Sequence, residues 1–122
     1  MTNDKLNKLA AEKVLGWKYE REFVTTGVCN GHDGVFVWTH NGEIHRELPD
    51  FCESIADAWM LLEKLDWFWF QVGRENCDGV RWDVRTYDDY DCKAEDEINV
   101  TCEDTAPLAI TKACLEAVGV EI

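Results

Sequence analysis

The chain is 122 residues long, 46% hydrophobic and 30% charged, which fits one globular domain over residues 1–122 with a core of its own. Its net charge of −13 excludes a basic nucleic-acid-binding surface, and no apolar run reaches the length of a membrane span. The N-terminal stretch MTNDKLNKLAAEKV is charged throughout and has no apolar leader. A cytoplasmic protein is therefore expected, with its six cysteines as reduced thiols, several buried as small hydrophobes. The charge is uneven. Residues 1–22 hold five bases against four acids, leaving 21 of the 25 acids and 7 of the 12 bases to the rest. Such a surface serves solubility, and it suits a basic partner or mimicry of a polyanion.

Residues 3–15 are predicted to form the first helix. Thr2 or Asn3 caps it, Leu6, Leu9, Ala10 and Val14 form a narrow stripe, and Gly16 stands where a left-handed terminating residue belongs. Trp17 and Tyr19 are expected to pin the helix end to the body. Residues 35–40 and 43–46 flank Asn41-Gly42, a pair that tolerates positive φ at both turn positions, so a β-hairpin is predicted there. Cys29, His32, His40 and His45 run as C-x2-H-x7-H-x4-H, residue types that suit tetrahedral zinc. No second C-x-x-C accompanies them, so histidines resting on a hairpin surface are the preferred reading.

Residues 54–65 are predicted to be the central helix, capped by Ser54 and buried along Ile55, Ala58, Trp59, Leu62 and Leu65. Pro49 breaks the chain ahead of it, and Phe51 packs back as a staple. The period then changes to two. Phe68, Phe70 and Val72 fall on one side of a strand, and Trp67, Trp69 and Gln71 on the other. Asp78-Gly79 turns the chain into residues 80–87, where Val80, Trp82, Val84 and Thr86 oppose Arg81, Asp83, Arg85 and Tyr87. Residues 88–97 are acidic but lack the calcium-loop register. A third strand follows, with Ile98, Val100 and Cys102 expected on the core face and Asn99 and Thr101 outside. The last helix starts near Asp104 or Thr105, carries Pro107 in its first turn and stops at Gly119.

These elements describe an α+β domain: a layered alpha–beta–alpha sandwich with three helices and a mainly antiparallel sheet of three to five strands. The segments LNKLAAEKVLGW, LPDFCESIADAWMLLEKL and DTAPLAITKACLEAVG, in that order and spacing, resemble the small phage and prophage proteins of the phage ABA sandwich domain family. The resemblance covers nearly the whole chain. It implies the layered fold and a phage or prophage origin, and it brings no catalytic residues. The final helix of that family often reads PLAIC, and here Thr111 stands at the cysteine place.

Three functional classes follow. The first is a non-enzymatic accessory protein that binds a host protein through its acidic surface. The second is a binder of a small nucleotide-like ligand. There Trp67 and Trp69 would stack a base, Arg81 and Arg85 would hold phosphates, and Gln71 and Tyr87 would complete the face. The opposing reading places those tryptophans in the core and pairs the arginines with Asp83 or other acids. An enzyme ranks last, because no nucleophile–base pair, phosphate loop or hydrolase motif has supporting local sequence. No cofactor is expected, and an open tryptophan-rich face would favour a homo-oligomer.

Overall fold

A computed structural model describes residues 2–22, 35–65, 69–75, 81–87 and 97–121. Helix α1 spans Asn3–Leu9, and Thr2 caps it by accepting a hydrogen bond from the Lys5 amide at 3.3 Å. The helix continues as a wide π-helical turn over Ala10–Val14, and the Leu15 amide donates to the Ala10 carbonyl at 3.2 Å. Ala10, Ala11, Val14 and Leu15 all turn inward. Gly16 then adopts φ +76° and the Trp17 amide reaches back to the Ala11 carbonyl, so the expected glycine stop is the observed one.

The first sheet is antiparallel and runs β1 (Lys18–Glu22), β2 (Val35–His40), β3 (Glu43–His45). Asn41 and Gly42 carry φ of 52° and 83° between β2 and β3, the left-handed pair that a two-residue hairpin needs. Strand β1 was not anticipated, and on it Tyr19 is half exposed, resting on Trp38 rather than sealing the helix end. Trp17 and Trp38 are buried in the main core.

Helix α2 spans Ile55–Lys64, with the Ser54 hydroxyl accepting from the Asp57 amide at 3.3 Å. The second sheet is also antiparallel and runs β4 (Trp69–Glu75), β5 (Arg81–Tyr87), β6 (Glu97–Glu103). Helix α3, Ala106–Ala117, lies across β5 and β6 and packs on α2 and the π turn. The α+β class and antiparallel pairing hold, and the strands divide into two three-stranded sheets.

One strand faces the other way from its apolar pattern. Thr101 pairs with Val84, so it shares the core face and is buried, while Val100 and Cys102 are exposed. On that face β6 also meets α3. The Thr101 hydroxyl donates to the Glu116 carboxylate at 3.3 Å, and Lys112 pairs with Glu103 at 2.5 Å. These two links tie the odd-numbered face of β6 to the helix.

The three helices meet at the turn that leads into α2. The Asn7 side-chain carbonyl accepts from the Cys52 amide at 3.1 Å, and its amide group donates to Asp50. Asp57 accepts from the Asp50 amide at 2.9 Å. The Thr111 hydroxyl lies 2.9 Å from both the Phe51 and Pro107 carbonyls. Phe51 is fully enclosed there, as a staple should be. Among the described cysteines, Cys52 and Cys114 are buried and Cys102 is exposed. Burial raises the Cys52 thiol from 9.0 to about 11, and burial also pushes the Cys114 thiol upward.

Two buried threonines separate the cost of losing a hydrogen bond from the cost of never having one. Thr111→Val strips the hydroxyl from the Phe51 carbonyl and should destabilise by about 1–3 kcal/mol in denaturant unfolding. Thr86 is fully buried and its hydroxyl has no partner among the described residues, so Thr86→Val should stabilise by about 1 kcal/mol. The thiols give a pH signature. The unfolded chain ionises these thiols first, so the stability they contribute is full below pH 9.0 and declines as pH rises toward about 11. The stability loss over that window should be shallower in a Cys52→Ala, Cys114→Ala variant.

Candidate functional site

The register of the second sheet gathers most of the predicted ligand face. Gln71 pairs with Arg85, Glu75 with Arg81 and Trp69 with Tyr87, so these positions alternate onto one side of the sheet. Trp67 and the side chain of Trp69 lie outside the described residues. The described side chains engage each other. The Tyr87 hydroxyl and the Gln71 side-chain oxygen are 3.2 Å apart, and Arg85 Nε donates to Asp83 Oδ2 at 3.4 Å. Asp83 and Tyr87 are buried, and Gln71 and Arg81 are exposed. The Asp83 carboxylate lies over Gly73, where a Cβ would come within 2.6 Å of Oδ1. This face is a mixed polar surface whose central ionic pair is already made.

The hairpin brings His40 and His45 to one side of the first sheet, both beside Trp17. The His45 ring stacks on the indole at 4.3 Å between centroids, His40 lies at 6.2 Å, and His45 Nε2 sits 3.6 Å from Glu43. Cys29 and His32 lie outside the described residues, as does most of the acidic stretch 88–97. No group of three or more metal-ligating side chains forms among the described residues.

A third location was not anticipated. Ile55 and Trp59 were expected inside, yet each is 50% exposed. The inward positions of α2 are Ala58, Leu61 and Leu65, with Leu62 partly buried against them. Ile55 and Trp59 instead form one wall of an open slot of about 480 Å³. Val72 and Trp82 from the sheet and Ala106, Pro107 and Ile110 from α3 form the others, and Asp104 and Thr105, both exposed, complete the lining. Met60 extends the exposed apolar face along the helix. The Arg74 guanidinium lies over the Trp82 ring at 5.9 Å. The sequence carries a signal for this slot. Ile55, Ala56, Ala58, Trp59, Met60, Leu61, Leu62 and Leu65 exceed what one buried stripe can hold, so part of the apolar surface must face out. A second cavity of about 480 Å³, between α1 and the 47–53 segment, is lined mainly by polar and acidic side chains with Trp38 and Leu48.

The model of the phage ABA sandwich domain family matches residues 8–115, and the chain belongs to that family. The crystal structure of a phage protein from Bacillus cereus ATCC 14579 has the same fold. Its identity is 21%, the match covers 100% of this chain and 92% of that one, and the TM-score is 0.66. No curated protein matches the chain.

The contact between Gly73 and Asp83 yields a coupling test. Gly73→Ala displaces the carboxylate and should cost about 1–3 kcal/mol in thermal or denaturant unfolding. The same change should cost less in an Asp83→Ala background. Equal costs in both backgrounds would show that the carboxylate is not the obstacle.

Proposed function

We propose that this phage ABA sandwich domain is a small acidic accessory protein, non-enzymatic, that acts in the host cytoplasm by binding a host protein. The exposed apolar face of α2 and the slot behind it form the contact surface. The observation that carries the reading is the half-exposure of Ile55 and Trp59 at the mouth of an apolar slot. Apolar area left in water forgoes about 25 cal/mol per Å² that a partner would recover. Tryptophan is also the residue type that most often anchors protein interfaces. The acidic excess adds long-range attraction for a basic partner and repels nucleic acid. A nucleotide-like ligand on the outer face of the second sheet is a weaker reading, because Arg85 would have to leave Asp83 to hold a phosphate.

Trp59→Ser tests the contact surface. Trp59 is half exposed, so the variant should keep its circular dichroism and stay folded, with a melting temperature lowered by several degrees. It should lose about 2 kcal/mol or more of partner affinity, a weakening of roughly thirtyfold. The comparison is affinity capture from host lysate with wild type and variant side by side. A partner retained equally by both would remove this surface from the function.

A further inference from the structure

We infer that the slot between α2 and the start of α3 receives an apolar anchor side chain from a basic segment of the partner, an inference that rests on the function proposed above. The walls settle the anchor. They are Ile55, Trp59, Val72, Trp82, Pro107 and Ile110, which offer almost no hydrogen bonds, so only an apolar group can fill the slot without stranding its own polar atoms. Charge settles the flanks. The two segments that build the slot, residues 50–64 and 103–110, expose Glu53, Glu63 and Asp104 against Lys64 alone. Arg74, from the sheet side, is turned onto the Trp82 ring. Asp104 is itself one of the lining residues and is exposed. Beyond them the whole chain carries −13. That field repels an acidic segment, an anionic membrane and a second copy of this chain, and it draws in lysine and arginine.

Three synthetic peptides of equal length test this against the full chain: one of interspersed leucine and lysine, one with leucine replaced by alanine, and one with lysine replaced by glutamate. Calorimetry gives affinity, and amide resonances of Ile55, Trp59 and Ile110 report the place. The leucine–lysine peptide should bind at those residues and weaken about tenfold from low to high salt. The alanine and glutamate peptides should each bind about tenfold or more weakly than it. Trp59→Ser should abolish the shifts. Equal binding of the glutamate peptide, equal binding of the alanine peptide, absence of binding by all three, or self-association through the same residues would each overturn the inference. If a lysate partner still depends on Trp59, the host-protein reading survives and only the partner's chemistry is wrong. If capture is also indifferent to Trp59, both fall.

Discussion

The turn from Asp50 to Ser54 is where the three helices are held in one arrangement. Asn7 comes from α1, Asp57 from α2 and Thr111 from α3, and each meets a backbone group of this short segment. The Cys52 amide and the Phe51 carbonyl are far from water, because both residues are almost wholly enclosed. A buried backbone group without a partner costs as much as a lost hydrogen bond, so each of these side chains is tied to its place. Phe51 occupies the centre of the same node and supplies the apolar area. The position of α2 against α3 is therefore set here, and with it the width of the slot that Ile55 and Trp59 border.

The second sheet depends on α3 in a different way. Ala109 and Ala113 are fully buried small residues, and they let the helix lie close to β5 and β6. Close approach brings Glu116 and Lys112 within reach of Thr101 and Glu103. Those polar links accompany an orientation that the register of β6 with β5 already sets. On the far side the sheet keeps Asp83, Arg85, Gln71 and Tyr87 bonded among themselves. Gly73 leaves room there for the Asp83 carboxylate, which a side chain would have to displace.

Local chemistry was legible in the sequence wherever one residue type answers one backbone demand. Asn41-Gly42 gave the hairpin, Gly16 the helix stop, Ser54 the cap and Pro107 the first turn of α3. Period-two alternation gave the pairing of β4 with β5. Three things were not legible. Strand β1, KYERE, has no apolar alternation and exists because β2 offers it a partner edge. The segment INVTC can place either set inward, since threonine suits a pleated surface as well as valine does, and the register with β5 puts Thr101 on the inner face. In α2 the apolar residues exceed one stripe, and sequence alone does not tell which of them a partner helix will reach. The candidate site falls on that ambiguity: Ile55 and Trp59 fit the buried stripe by spacing, and the fold leaves each half exposed.

Thr111 ties α3 to the turn ahead of α2. Its hydroxyl is fully buried and donates to the Phe51 carbonyl at 2.9 Å, a stronger hydrogen bond than a thiol would make. The gain tightens the node that fixes α2. A fixed α2 in turn holds Trp59 and Ile55 partly in water, a placement that invites self-association in a neutral protein. Net charge of −13 opposes that association, because two copies approaching through this face bring two strongly acidic bodies together. The apolar slot and the acidic surface are thus one device on the proposed reading. The first supplies adhesion, and the second withholds it from every surface that is not basic.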